Sequence, residues 1–185
     1  MEAAPDLIGA VIGFRQFRVV GTELWSTRAG RRWDGGVQTA RCLVGGVHDE
    51  PPPGKGCSCG FYARYTPPPR GASAATSDLV AGAVALWGRI ELHAHGMRAE
   101  HATVVALALP LSHGAKRRRT LAAATALGIA AVPAHRLIAA TAGHGEMIPG
   151  PMRPPDVMPN KRAAPGEPRS AKLNAVADGL GVRRR

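Results

Sequence analysis

"LVAGAVALWGRIELHAHGMRAEHATVVALALP", residues 79–110, is the stretch that decides the fold. Two apolar runs flank a polar segment, a pattern that predicts two long strands of an antiparallel hairpin. Gly96-Met97 suits a type II′ turn, which prefers glycine at its first central position. In that register Ile90, Leu92 and Ala94 turn toward the core, and a slip of one residue would exchange the two faces.

The opposite face of this hairpin carries polar side chains. The predicted register sets His95 across from Arg98 and His93 across from Glu100. Two histidines one residue apart on a strand project to one face, as some metalloenzymes require, and a carboxylate can orient such a ring. An enzyme using the His93, His95, Arg98 and Glu100 face is therefore one alternative. An exposed ladder of mixed charge explains the same pattern with fewer assumptions.

Shorter segments around the hairpin predict further strands. "VIGFRQFRVV" at 11–20 predicts a strand with a β-bulge, because Phe14 and Phe17 are three residues apart. Gly21 suits a turn before a short returning strand, and "RAGRRWDGG" at 28–36 predicts a turn-rich loop that carries Trp33. The remaining strand predictions are "ELWS" at 23–26, "VQTARCLV" at 37–44 and "FYARY" at 61–65.

The last third of the chain changes character. "TLAAATAL" at 120–127 predicts a helix that Gly128 ends, and "IAAV" at 129–132 predicts a short buried strand. Pro133 suits the start of a second helix over 134–142. The fold class is therefore α+β: one domain over 8–150, with an antiparallel sheet followed by a helix–strand–helix unit. Residues 151–185 have too little apolar content to fold, so we expect a disordered basic tail.

Charge and cysteine content narrow the class of protein. The 185 residues carry a formal net charge of +11 with a pI near 11.0, which favours an anionic partner. No signal peptide is visible, and the apolar stretches are too short to span a bilayer. The three cysteines do not suggest a disulfide framework. We therefore expect a cytoplasmic protein without a membrane anchor.

Two of those cysteines lie one residue apart in "GKGCSCGFYARY", residues 54–65. Cys42, His48, Cys57 and Cys59 together form a Cys-x5-His-x8-Cys-x-Cys series, the ligand types of a structural tetrahedral Zn²⁺ site. The intervening loop has few apolar anchors, and a metal would hold it while Gly60 lets the backbone pass close to the ion. Buried thiols acting as small hydrophobic groups, or a functional disulfide, remain alternatives.

A second basic feature is the "KRRR" segment, Lys116, Arg117, Arg118 and Arg119, just before the predicted helix. Such a cluster is a candidate for contacts with phosphates, which makes nucleic-acid binding through 116–119 and the tail a further alternative. Aromatic residues are not interleaved with these charges, so stacking on single strands has no support.

The common catalytic motifs are missing from the sequence. It contains no phosphate-binding GxxxxGK[ST], no GxGxxG, no GxSxG and no HExxH. A cysteine-dependent transfer remains formally open, although two thiols this close suit a metal better. The leading hypothesis is a non-enzymatic binding module, stabilised by zinc, whose partner is a macromolecule, protein or nucleic acid.

Several segments resemble a family of uncharacterised actinobacterial, notably mycobacterial, proteins. The likeness covers roughly residues 11–155 and rests on "GFRQFRV", "CSCGFYA", "VAGAVALWGRIELHAHGMRAEHA" and "LGIAAVP". It implies a shared fold and no particular reaction. The residues that match family positions are Cys42, His48, Cys57, Cys59, Gly60, Tyr62, Trp87, Gly88, Arg98 and Glu100.

Overall fold

A computed structural model describes residues 9–28, 30–42, 50–69, 78–111 and 114–156. These ranges contain one mixed β-sheet of nine strands and one α-helix, an α+β arrangement as predicted. The elements are β1 (Val11–Val20), β2 (Glu23–Ser26), β3 (Arg32–Trp33), β4 (Gln38–Thr39), β5 (Phe61–Arg64), β6 (Leu79–His93), β7 (Gly96–Leu109), α1 (Ala115–Leu127), β8 (Ala130–Pro133) and β9 (Glu146–Met147).

The long hairpin of β6 and β7 is confirmed, but its predicted turn and register are wrong. The turn lies at Ala94 and His95, so His93 pairs with Gly96 and Glu91 pairs with Arg98. Gly96 lacks the positive φ that a type II′ turn needs at its first central position. Its role is close packing instead, because a Cβ there would collide with the backbone of β5 at Ala63.

The sheet closes on itself around four strands. β1 pairs with β6, β6 with β7, β7 with β5, and β5 returns to β1 through the pair Phe14 and Arg64. Since β6 occupies one edge of β7 along most of its length, β5, β4 and β8 must follow one another along the other edge. The ends of β4 and β5 are therefore neighbours in space.

 The chain thus leaves this edge of β7 after Ala40 and rejoins it at Phe61, 21 positions later in the sequence.

The alternation along β1 separates two apolar clusters. Phe17 belongs to an inner cluster, on the face that the closed ring turns inward, and Phe14 belongs to an outer cluster with Ile12 and Leu137. Both phenylalanine rings are fully buried because both faces of β1 are covered. The register with β6 is continuous from Val11 to Arg18, so the β-bulge predicted from the spacing of the two rings is wrong.

Trp33 is a core residue that the sequence analysis placed in a loop. It lies in the short strand β3, which pairs with β2, and it is 1 % exposed. Its ring meets Phe17 edge-on, with centroids 5.4 Å apart, and lies 5.1 Å from the ring centroid of Phe61. These three aromatic residues form the centre of the inner cluster, which Ala123 and Ala124 of α1 also join.

The segment after β7 differs from its prediction in three respects. α1 begins at Ala115, so the residues 116–119 lie inside the helix and not before it. The predicted second helix is replaced by two 3₁₀ turns, Ala134–Arg136 and Ala139–Thr141, and Thr141 Oγ1 donates to the Ile138 carbonyl at 2.7 Å, a local bond that competes with helical pairing. β8 and β9 run parallel to their neighbours, so the sheet is mixed and not wholly antiparallel.

The described structure continues past residue 150, where the domain was predicted to end. A 3₁₀ turn spans Gly150–Met152, and the Met152 side chain packs against the inner cluster. Arg153 donates to the Ile148 carbonyl at 2.9 and 3.2 Å and covers the ring of Tyr65. Residues 157–185, most of the predicted tail, lie outside the described residues.

Within the described ranges, no helix combines the length and the apolar character needed to cross a membrane.

We predict that Trp33→Ala lowers the free energy of unfolding by about 3–5 kcal/mol, because it leaves a cavity among the inner aromatic rings. The control is Val37→Ala, since Val37 is 64 % exposed and should change stability by less than about 0.5 kcal/mol. Urea denaturation followed by circular dichroism measures both. Equal stability of the two variants would contradict the placement of Trp33 in the core.

Candidate metal centre and the adjoining cleft

The sulfur atoms of Cys42, Cys57 and Cys59 lie within 4.8 Å of one another, close enough to hold one metal ion. The Cys42 and Cys57 sulfurs are 3.6 Å apart. Two thiolates on a tetrahedral Zn²⁺ would be separated by about 3.8 Å, given Zn–S bonds of about 2.3 Å. His48, the fourth ligand predicted from the sequence, lies outside the described residues.

The sheet brings these cysteines together. The Ala40 amide donates to the Glu100 carbonyl of β7 at 2.8 Å, and Cys42 follows two residues later. β5 then begins with Phe61 opposite Ala99, the residue of β7 that precedes Glu100. Cys59 lies two residues before Phe61. The loop between them therefore leaves and rejoins β7 at adjacent positions, so its two roots carry the thiols.

A tight turn shapes the end of this loop. The Cys57 amide donates to the Gly54 carbonyl at 3.1 Å, and Gly56 between them has φ +76°, which a non-glycine residue would adopt only with strain. The Gly54 amide in turn donates to the Cys59 sulfur at 3.2 Å. The thiolate is the form of cysteine that binds metals, and an amide N–H is a donor suited to it.

The Arg98 side chain fastens the loop to β7. Its guanidinium is buried and donates to the carbonyls of Cys57, Cys59 (3.1 Å) and Gly54 (3.3 Å). Its Nε and second amino group reach the Glu91 carboxylate at 3.0 and 2.5 Å. A planar group with donors in fixed directions is suited to binding several carbonyls of one loop together with a carboxylate.

The electrostatics of this group favour a charged Arg98. Burial lowers the pKa of Arg98, but the hydrogen bond and the negative charge of Glu91 raise it, and the net shift is upward. The guanidinium therefore stays positive at every physiological pH. A divalent ion with three thiolates carries one net negative charge, and a fixed positive group beside the loop carbonyls compensates it.

Gly60 allows the end of the loop to lie close to β7. Its φ is +115°, and a Cβ would stand 3.4 Å from Pro53 of the loop and from Arg98 and the Ala99 carbonyl of β7. The missing side chain thus allows the chain to turn closely onto β7. The contacts of Gly60 concern the strand beneath the loop, and the predicted approach of its backbone to an ion stays a prediction.

The histidines of the polar hairpin face lie beside different carboxylates, although His93 and His95 line one cleft. His93 Nε2 lies 3.4 Å from Glu91, His95 Nε2 lies 3.4 Å from Asp156, and the third pair joins His101 to its neighbour Glu100 at 3.5 Å. Each histidine thus has its own carboxylate at a different position along the hairpin.

Glu100 has a structural partner in addition. Its Oε2 accepts a hydrogen bond at 3.2 Å from the Arg89 amide, where the pairing of β6 and β7 is irregular. Gly88 at this irregularity has φ +76° and leaves no space for a Cβ beside Glu100 and His101. The Trp87 ring stacks on His101, with centroids 5.8 Å apart. Packing around the irregularity therefore accounts for Trp87, Gly88 and Glu100.

The basic residues 116–119 occupy the first turns of α1. Arg118 and Arg119 are exposed, and Arg119 lies 3.3 Å from the Asp78 carboxylate. Arg117 is half-buried and donates to the Pro110 carbonyl at 3.4 Å. Burial lowers the pKa of Lys116, which is also half-buried. Part of this cluster is therefore engaged with the protein itself.

A cleft of about 1300 Å³ runs along β5 beside the cysteines, and sequence reasoning missed it. Its lining residues include Cys57, Cys59, Arg15 and Arg31. The available signal was the alternation along β1: Arg15 occupies an inward position two residues before Phe17, where a charged side chain is unusual.

Scans of the chain against protein-family models, curated proteins and solved structures found no match. The resemblance to actinobacterial proteins therefore stays a prediction, and the functional argument rests on the geometry of the site.

We predict that Arg98→Lys weakens the loop, because a lysine cannot donate to three carbonyls and a carboxylate at once. The expected loss in the free energy of unfolding is about 2–3 kcal/mol, with faster hydrogen exchange at residues 54–60. Arg89→Lys is the matched control, since Arg89 ties the same loop through an exposed pair with Glu50 at 2.7 Å. Such a pair contributes less than about 1 kcal/mol. Equal effects of the two substitutions would show that the buried contacts of Arg98 do not hold the loop.

Proposed function

We propose that this protein is a non-enzymatic binding module, stabilised by a structural Zn²⁺ on Cys42, Cys57 and Cys59, with His48 as the fourth ligand. The observation that carries the proposal is the convergence of the three sulfur atoms within 4.8 Å at the roots of one loop. A set of three thiolates and one imidazole is a closed structural site for Zn²⁺.

The surroundings of the thiols support a metal over an inert thiol cluster. The Gly54 amide is directed at the Cys59 sulfur, and the Arg98 guanidinium holds the carbonyls on either side of Ser58. Both groups bring positive charge or an N–H dipole to the loop, where a divalent ion with three thiolates would leave one net negative charge. Thiolate ligands also persist best in a reducing compartment, in line with a cytoplasmic protein.

Binding is favoured over catalysis because the candidate catalytic groups lack a shared carboxylate. His93 and His95 both line the cleft along β5, but His93 lies beside Glu91, which Arg98 already binds, and His95 lies beside Asp156. The cleft also adjoins the metal ligands and is large enough for a ligand. We propose that the metal fixes the wall of this cleft formed by residues 57–60.

Elemental analysis of the purified full chain tests the metal. We expect about one zinc per chain in the wild type and almost none in Cys57→Ser or Cys59→Ser, because two thiolates bind zinc much more weakly than three. Ser58→Ala is the matched control, since Ser58 is exposed and lies between the two cysteines. His48→Ala should retain zinc with lower affinity, as measured by competition with a chelator.

Two outcomes would contradict the metal proposal. One is a wild-type protein, purified with zinc supplied, that contains far less than one zinc per chain. The other is an unchanged melting temperature when Cys57→Ser and Cys59→Ser have lost the metal, since a structural metal must add to the stability of the folded state.

A further inference from the structure

The cleft along β5 is rich in arginine. Five arginines line it, Arg15, Arg28, Arg31, Arg41 and Arg64, and the lining residues include no aspartate or glutamate. Within the described ranges, none of these five forms an ion pair, whereas other arginines of the protein pair with Glu23, Glu50, Asp78 and Glu91. Five positive charges without an ion-pair partner in the described ranges thus lie where a ligand can enter.

Arg15 is the deepest of these charges. It projects from an inward position of β1, and its Nε is sealed from solvent with no hydrogen-bond partner. Its only side-chain hydrogen bond within the described residues is a long one, 3.5 Å, to Ser26 Oγ. Burial lowers its pKa to about 10, so it is still protonated at neutral pH. Arg15 is half-buried, and a cation partly removed from water without a counterion is costly, so an anion bound beside it would lower that cost.

Two guanidinium groups rest on the same aromatic cluster. The Arg15 guanidinium lies 4.8 Å from the Trp33 ring centroid and 5.3 Å from that of Phe17. The Arg31 guanidinium lies 5.0 Å from the Phe61 ring centroid, and its second amino group donates to the Thr39 carbonyl at 3.0 Å. Stacking occupies the face of a guanidinium and leaves N–H groups along its edge for an oxyanion.

The chemistry of the cleft selects among anions. All five cations are arginines, whose paired donors match the oxygens of a phosphate group better than a lysine does. Successive bases of a nucleic acid strand need exposed rings, but Phe14 and Phe61 are buried and Tyr62 is the one exposed aromatic side chain of the lining. A volume of about 1300 Å³ accommodates a small organic molecule.

We propose that Arg15 and Arg31 form an anion site in this cleft that binds the phosphate group of a small organic ligand. The proposal rests on the binding role proposed above and names the class of ligand for that role. Its residues come from β1 and from the segment before β3, and none of them is a thiol. Loss of zinc and loss of phosphate binding are therefore separate results.

Calorimetric titration of the full zinc-loaded chain with inorganic phosphate, in a low-chloride buffer, tests the site. We expect Arg15→Gln and Arg31→Gln each to weaken phosphate binding about tenfold or more, since each removes charge-assisted hydrogen bonds. Arg18→Gln is the matched control, because Arg18 is exposed on β1, the strand of Arg15, and does not line the cleft. We expect this variant to bind phosphate with the affinity of the wild type. Circular dichroism verifies that each variant is folded.

If Arg15→Gln does not fold, Arg31→Gln alone decides the question, because Arg31 lies at the cleft wall and its residue is only half-buried. No phosphate binding by the wild type at millimolar concentration would overturn the proposal, as would equal affinity in Arg31→Gln and Arg18→Gln. A second titration uses a single-stranded oligodeoxythymidylate. Binding of this strand through Arg31, far tighter than phosphate, would assign the cleft to nucleic acid and would also overturn the proposal.

Discussion

The buried contact between the Arg98 guanidinium and the loop before β5 is the interaction on which the site depends. One side chain of β7 holds three loop carbonyls, while Glu91 on the adjacent strand fixes its orientation. The carbonyls belong to Gly54, Cys57 and Cys59, so the contact sets the position of two of the three thiols directly. A guanidinium that stays charged is suited to this role, because its donors are never lost to titration.

The closed sheet explains why the loop and the cleft lie side by side. β4 and β5 share one edge of β7, which brings Cys42 to the root of the loop that ends at Cys59. The other edge of β5 pairs with β1 through Phe14 and Arg64, which brings β5 next to Arg15 of β1. Two of the thiols and the arginines therefore line one cleft, although the two proposed sites share no residue.

Sequence patterns revealed the parts of this structure that depend on local periodicity and on chemistry. The hairpin, the strand at 61–65 and the grouping of Cys42, Cys57 and Cys59 were predicted, because alternation and thiol spacing are visible in a short window. The turn of the hairpin was not. Gly96 was assigned to it on local preference, whereas its lack of a side chain serves the approach of β5, which no local pattern shows.

The role of Arg98 and the burial of Trp33 escaped prediction for the same reason. Arg98 lies on a strand face that is polar in sequence, and it is buried because a distant loop covers it. Trp33 lies among turn-forming residues, and its partners Phe17 and Phe61 are far from it in the chain. Tertiary contacts decided both positions. The loss of the second predicted helix has a local reason instead: helix propensity is a weak preference, and the Thr141 hydroxyl bonds the Ile138 carbonyl within the turn.

The most direct test of the central claim, that the loop held by Arg98 gathers three thiolates around one ion, is X-ray absorption at the zinc edge of the zinc-loaded wild-type protein. The account predicts a shell of three sulfur atoms at about 2.3 Å with one nitrogen or oxygen at about 2.0–2.1 Å. A spectrum with only nitrogen and oxygen neighbours, or with a single sulfur, would contradict it.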